Sequence, residues 1–266
     1  MGLTAYFLDY LAHVVETNHV SGSVLTLSRL DMYFGLGELQ LCAQNHRIAH
    51  PEKVEEVQAR GELLSALPRL RSMGFVSDHA TFAMLGFDSV ESVDASAFEG
   101  ASHIFDLNAK GLRDSLGQRD FDLVIEAGTM EHVFHIPNFL ENMLSVVKIG
   151  GCAVHISPTN NSVDHGFYQF SPTFFHDYYA ANNWKMLEIS FVRYESLTSK
   201  TYFQNAPAYF NYSPGSLEKI SEGGLDDKMY GTVMVARRMP TSTIGVIPSQ
   251  GLYVEAWAKE EKAEGR

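Results

Sequence analysis

The sequence predicts an α/β fold: a doubly wound, mostly parallel sheet with an antiparallel edge strand and a helical insertion after the first strand. Three observations carry this reading. Short apolar runs of strand length, at residues 23–27, 89–93, 122–126 and 152–156, alternate with amphipathic segments of helical spacing, which is the pattern of βαβ units. Residues 121–172 read as strand, polar loop, amphipathic helix, Gly-Gly turn, strand and a second polar loop, and open parallel sheets bind ligands at such strand ends. The last two apolar runs, 185–192 and 229–236, lack a convincing helix between them, so they are expected to pair antiparallel at an edge.

In chain order, residues 4–16 carry apolar side chains at helical spacing, and SVLTL (23–27) reads as a buried strand after Gly22. Residues 34–73 form the expected insertion, helical and polar, whose charged stretch at 51–70 reads as a solvated helix face. HATFAMLG (79–86) is a short helix ending at glycine, SVESV (89–93) a strand ending at Asp94, and residues 103–105 a brief strand before Asp106, Leu107 and Asn108. DLVIE (122–126) is a strand, residues 137–147 a helix opened by proline, and CAVHI (152–156) a strand. Residues 172–182 read as the next helix, with Trp184 behind it as a packing residue. A single domain over 1–240 is expected, followed by a tail over 241–266 that loses periodicity and frays.

Composition limits the function. With 266 residues and 45% hydrophobic content, one sizeable core can be buried. A formal net charge of −12 with scattered basic residues argues against nucleic-acid and anionic-membrane partners. Cys42 and Cys152 cannot form a disulfide framework and show no metal-ligand spacing. The first residues make a poor signal peptide, and no apolar run approaches a membrane span. A cytoplasmic location is the expectation, and oligomerisation is left open.

Strand ends carrying Asp94, then Asp106-Leu107-Asn108, then Glu126-Ala127-Gly128-Thr129, followed by a helix, KIGG and CAVHI, resemble the class I S-adenosylmethionine-dependent methyltransferases over residues 20–236. The resemblance implies a Rossmann-like fold, S-adenosylmethionine as cofactor, and methyl transfer to a small-molecule or glycan acceptor. It implies that Asp94 and Ala95 meet the ribose, because a carboxylate can accept from two vicinal hydroxyls. It also implies that Asp106 and Leu107 meet the adenine, and that the backbone of Glu126, Ala127, Gly128 and Thr129 lines the cofactor. The family's first strand ends in a glycine-rich loop, whereas this strand is followed by Ser28, Arg29, Leu30, Asp31 and Met32. Ser28 and Arg29 are therefore expected to hold the cofactor's carboxylate by side chain. The glycines of FGLGEL (34–39) fall several residues late.

His132 and His165 sit on the loops after the fourth and fifth strands, and an imidazole there suits the general base for an attacking hydroxyl. His155 lies mid-strand and reads as a core histidine. No metal is expected: Glu131 and His132 are adjacent, cannot both face one point from a helix, and no H-x-x-x-H pair occurs in this stretch. Asn160, Asn161, Asp164, Tyr168 and Gln169 offer donors and acceptors with little charge, an inventory suited to a sugar or secondary-metabolite hydroxyl compound. The alternatives are a non-catalytic relative serving as a binding or assembly subunit, motivated by the missing glycines, and a nicotinamide-dependent oxidoreductase, which needs glycines at the same turn.

Overall fold

The computed structural model describes residues 2–195, 207–221 and 223–263. The chain opens with a short strand β1 (Gly2–Thr4) and helix α1 (Ala5–Asn18), followed by β2 (Gly22–Leu27) and β3 (Asp31–Tyr33). Four helices, α2 (Leu36–Asn45), α3 (Pro51–Ala59), α4 (Pro68–Ser72) and α5 (Asp78–Met84), lead to β4 (Phe87–Asp94) and β5 (His103–Ile104). Then come α6 (Leu112–Ser115), β6 (Phe121–Ala127), α7 (Ile136–Ser145), β7 (Val147–Asn160) and α8 (Pro172–Ala181). The chain finishes with β8 (Lys185–Tyr194), β9 (Ala208–Asn211), α9 (Glu218–Ser221), β10 (Met229–Arg237) and α10 (Gly251–Ala263). Among the described residues, no helix is long and apolar enough to cross a membrane.

The main sheet has the order β5-β4-β2-β6-β7-β10-β8-β9. The strands from β5 to β7 are parallel, while β10 runs antiparallel to both β7 and β8. The edge strand β9 is antiparallel to β8. The expected antiparallel pairing of the last two runs is present between β8 and β10, but the edge itself is β9, a strand the sequence reading lacks, and β10 sits inside the sheet. Sequence distance hides this placement, because pairing to both neighbours is a property of the sheet and not of the run.

Both faces of the sheet are covered, and the alternation along the strands shows it. Val24, Leu123, Ile125, Val154 and Val233 join one apolar cluster with Phe7, Leu8 and Leu11 of α1 and Phe82 of α5. Leu25, Val124, Ala153 and Met234 join the opposite cluster with Phe139 and Met143 of α7 and Phe175 and Tyr179 of α8. Successive side chains point to opposite faces, so a strand buried on both sides reads as a continuous apolar run. Helix boundaries follow local chemistry. Thr4 caps α1 by accepting from Phe7 N, and Pro137 opens α7 beside an N-cap at His135 whose Nδ1 accepts from Asn138 N.

The expected insertion at 34–73 resolves into α2, α3 and α4. It is preceded by a small parallel sheet that the sequence does not signal: β1 pairs with β3, with Leu3 opposite Met32. Gly150 and Gly151 lie within β7, not in a turn before it. A side chain at Gly151 would come within 2.8 Å of the Asp122 carbonyl, so this close approach of β6 and β7 requires glycine. The expected frayed tail is tied down in part: Trp184 Nε1 donates to Thr243 O, Tyr178 Oη donates to Ile244 O, and residues 251–263 form α10. Residues 264–266 of that tail lie outside the described residues.

One polar network threads the second apolar cluster. Glu126 and His155 are fully buried side by side on β6 and β7. Glu126 Oε1 lies 3.1 Å from His155 Nδ1 and accepts from Ser157 Oγ at 2.5 Å, and His155 Nε2 lies 2.7 Å from Tyr179 Oη. An ionised carboxylate only accepts, so the arrangement that satisfies every group has Nδ1–H donating to Glu126 and Nε2 accepting from the Tyr179 hydroxyl. Burial holds the Tyr179 phenol well above its ordinary pKa, which keeps that proton in place. Tyr179→Phe is expected to leave His155 Nε2 unpaired in the core and to lower unfolding free energy by about 1–3 kcal/mol in urea titration.

Candidate functional site

The chain passes from β2 outward through β4 and β5, then returns to β6 and β7 on the other side of β2. Strand order reverses between β2 and β6, and open α/β sheets bind ligands in the crevice beyond the carboxyl ends of strands at such a point. The crevice here is closed by side chains. Ser28 and Thr129, both buried, place their hydroxyl oxygens 2.9 Å apart, and Thr129 Oγ1 donates to Leu27 O at 2.6 Å. With the Thr129 proton used on Leu27, the Ser28 hydroxyl must donate to Thr129.

Ser28 also has φ of 79°, in the left-handed region where glycine is favoured. The sharp turn that glycine supplies in the resembling family is therefore made by serine. It is held by Ser28 N donating to Val93 O at 2.7 Å and by the Thr129 contact. Gly35, one of the two late glycines, caps α2, where its N–H donates to Glu38 Oε2 at 2.6 Å.

The two residues expected to grip a carboxylate, Ser28 and Arg29, have other partners in this structure. The Ser28 proton is committed to Thr129. The Arg29 guanidinium pairs at 2.9 Å with Asp78, whose side chain is 2% exposed, and donates to Gly100 O. Glu126 is likewise a core residue, with its second oxygen 3.3 Å from Thr129 N and 3.4 Å from Met130 N.

Two cavities open beside the switch point. A cleft of about 160 Å³ is lined by Ser28, Asp94, Ala95, Asp106, Leu107, Thr129 and His132. Asp94 accepts from Ser96 N through one carboxylate oxygen. Asp106 accepts from the backbone N–H and side-chain amide of Asn108, which hold its carboxyl below the usual range. A larger cavity of about 320 Å³ lies on the other side of the β6 end, lined by Ala127, Gly128, Glu131, Ser157, His165 and Tyr194 and roofed by Thr4 and Tyr33 of the small sheet. The expected cofactor residues are thus divided between the two, with Ala127 and Gly128 facing the larger one.

The wall between them carries Glu131, His132 and His165. Residues Met130–His132 form a single 3-10 turn, not an α-helix. The side chains nevertheless come together: Glu131 Oε1 lies 3.9 Å from His132 Nε2 and 3.7 Å from His165 Nε2. The two imidazoles meet edge to face at 5.0 Å between centroids. The spacing argument against a shared focus fails because it counts backbone direction alone, whereas the side-chain ends meet. The second loop is locked to the first by Phe167 N donating to Glu131 O at 2.7 Å. Gly166, at φ of 82°, has no room for a side chain, since a Cβ would stand 2.8 Å from the same carbonyl oxygen.

Glu131 is 1% exposed. Burial first, then the Glu126 charge, pushes its carboxyl up to about 8. Burial, then His165, lowers the His132 pKa. Burial, then Glu131, pushes the Tyr194 phenol up to about 12. Glu131, Tyr33 and Tyr194 were not candidates on sequence. The only signal for Glu131 is a carboxylate in the short loop after a buried strand, next to a histidine.

The second loop differs from expectation. Asn161 Nδ2 donates to Asp226 O and Lys228 O, Gln169 Oε1 accepts from Ser162 N, and Tyr168 Oη donates to Phe134 O. Asp164 is exposed at φ of 67°, and Asn160 ends β7 opposite Tyr230. None of the five residues expected to hold the acceptor lines either cavity. Three of them use their polar atoms in hydrogen bonds to backbone groups instead. Their neighbours Ser162 and His165 line the larger cavity instead.

No protein-family model matches the chain, and no curated protein matches it in sequence. Its structure is similar to TehB from Haemophilus influenzae, at TM-score 0.40 and 16% identity over 71% of this chain and 62% of TehB. It is similar to the N-methyltransferase NodS from Bradyrhizobium japonicum WM9, at TM-score 0.38 and 11% identity over 86% of this chain and 94% of NodS. It is also similar to CrArsM, an arsenic(III) S-adenosylmethionine methyltransferase from Chlamydomonas reinhardtii, at TM-score 0.34 and 12% identity over 61% and 60% of the two chains. The chain thus spans less than two thirds of TehB. All three scores lie below 0.5, so the functional reading rests on this chain's own topology and site.

Three substitutions test the first loop. Arg29→Met is expected to leave the Asp78 charge buried and alone and to cost about 3–5 kcal/mol of folding stability, whereas a guanidinium reserved for a ligand would cost little in the free protein. Ser28→Val, a β-branched side chain at positive φ, is expected to lower stability by about 1–3 kcal/mol in the same urea titration, while Ser28→Gly keeps the fold.

Proposed function

We propose that this protein transfers a methyl group from S-adenosylmethionine to a small polar acceptor, a sugar or secondary-metabolite hydroxyl. The observation that carries the reading is the pair of cavities flanking a topological switch point, with Asp94 and Asp106 in one and the Glu131, His132 and His165 cluster on the wall between them.

The residues present fit the cofactor at its nucleoside end. Asp94 ends β4 within the smaller cleft and offers a carboxylate to a pair of ribose hydroxyls. Phe105 and Leu107 give that cleft an apolar side, and Asp106 stands at its rim, where it could accept from an exocyclic amine. The fit does not extend to the first loop's side chains, whose donors are committed to Thr129 and Asp78. When bound, S-adenosylmethionine supplies an electrophilic methyl group on a sulfonium centre.

The chain's own residues do the rest. The backbone at Gly128 and Thr129 separates the nucleoside cleft from the larger cavity and sets the line along which two reactants would approach. Tyr33 and Thr4, from the small sheet, roof the larger cavity and limit water there. The Glu131, His132 and His165 cluster is where an acceptor hydroxyl would be held and its proton released.

The rival reading, a non-catalytic relative, is favoured by the committed donors of Ser28 and Arg29. Calorimetric titration decides between them. S-adenosylmethionine and S-adenosylhomocysteine are expected to bind the folded protein at sub-millimolar concentration, and absence of heat from both would exclude methyl transfer. Asp94→Ala is expected to weaken binding by about tenfold or more, as loss of hydrogen bonds to a charged group does; unchanged affinity would remove Asp94 from the cofactor site.

A further inference from the structure

We propose that Glu131, His132 and His165 form a binding site for a first-row divalent transition cation, with its open coordination position facing the 320 Å³ cavity. Three observations converge on it. The ligand atoms, one carboxylate oxygen and two imidazole nitrogens, all lie within 4.8 Å of one another. Bonds of ~2.0–2.1 Å at tetrahedral angles separate ligand atoms by about 3.3 Å, and the carboxylate already stands 3.9 and 3.7 Å from the two nitrogens. Closing that gap asks only for small rotations of imidazoles that are 37% and 58% exposed.

The second observation is an unsatisfied group. Glu131 Oε2 is buried and has no hydrogen-bond partner among the described residues, although native proteins pair nearly all such atoms. Its other oxygen faces the two imidazoles at distances beyond a hydrogen bond. A buried carboxyl oxygen left without a partner costs free energy that a bound cation offsets.

The third is the way the ligands are held. Glu131 and His132 come from the turn after β6, and His165 from the loop after β7. The Phe167 N to Glu131 O bond and the side-chain-free approach at Gly166 fix the second loop against the first. Two imidazoles and one carboxylate suit manganese-to-zinc cations and not magnesium or calcium, which prefer oxygen. Three protein ligands with an open position mark catalytic sites as distinct from structural ones. A cation here would draw the oxygen of an acceptor and lower the pKa of its hydroxyl. That role rests on the methyl-transfer reading, whereas cation binding itself does not.

A second histidine cluster provides the control. His46 lies between α1 and α2 with Asp9, Glu16 and Cys42 nearby. Both its ring nitrogens are already within 3.0 and 3.1 Å of carboxylates, so the protein satisfies them without a metal.

The test is titration of chelator-treated full-length protein with Co²⁺, followed by visible absorption and calorimetry without S-adenosylmethionine. One equivalent is expected to bind, with ligand-field bands of a four- or five-coordinate ion, and excess Mg²⁺ is expected not to displace it. His165→Ala and Glu131→Gln should each weaken uptake by about tenfold or more, since even outer partners of ligands cost that much, while His46→Ala should leave it unchanged. Absence of saturable uptake, uptake indifferent to His165→Ala, or uptake abolished by His46→Ala would overturn the site. His165 is exposed, so its variant decides the matter even where Glu131→Gln fails to fold. The readout needs no cofactor: a failed cofactor titration with intact Co²⁺ uptake counts against methyl transfer alone, and the reverse result against the cation site alone.

Discussion

A carboxylate removed from water at the end of a central strand constrains everything built above it. Glu126 ends the apolar run of β6, and three kinds of partner hold it: the His155 ring and Ser157 hydroxyl on the neighbouring strand, and the N–H groups of Thr129 and Met130 in the following loop. A buried charge without such partners would be prohibitively costly, so strand pairing, the packing of α8 through Tyr179, and the course of residues 127–132 are determined together. The loop that carries Thr129, Glu131 and His132 is consequently a fixed element of the core, not a free surface segment.

The second consequence concerns the switch point. Where the resembling family opens the first turn with glycine, this chain makes a left-handed turn with Ser28 and ties it across the crevice to Thr129. The side-chain bridge takes the place of a close backbone approach. It leaves a modest cleft on the Asp94 side and a larger cavity beneath the β1 and β3 pair. The wall between them carries the buried Glu131 carboxyl with the His132 and His165 imidazoles beside it.

Much of the fold is legible in the sequence because its signals are local. Apolar runs of strand length, amphipathic helices, Pro137 at a helix start and the reach of each run to Asp94 or Glu126 depend on near neighbours only, and the main strands and helices appear where those patterns lie. The parallel sheet and its antiparallel edge follow from the order of elements. Less legible are the features that depend on contacts distant in sequence: the pairing of Gly2–Thr4 with Asp31–Tyr33, the insertion of β10 between β7 and β8, and the anchoring of Thr243 and Ile244 by Trp184 and Tyr178.

The candidate site divides along the same line. The sequence by itself determined which strand ends face the crevice, and so brought Asp94, Asp106, Thr129, His132 and His165 into view. It could not decide which polar side chains there are free, because a donor's availability depends on what lies within about 3 Å of it in space. Only the tertiary structure consigned Arg29 to Asp78, Ser28 to Thr129, Asn161 to the segment before β10 and Gln169 to its own loop. Only it brought the side-chain ends of adjacent Glu131 and His132 within 4.8 Å of His165 on the second loop. Backbone periodicity is written in the order of residues, whereas convergence of side chains is set by where the sheet brings two loops together.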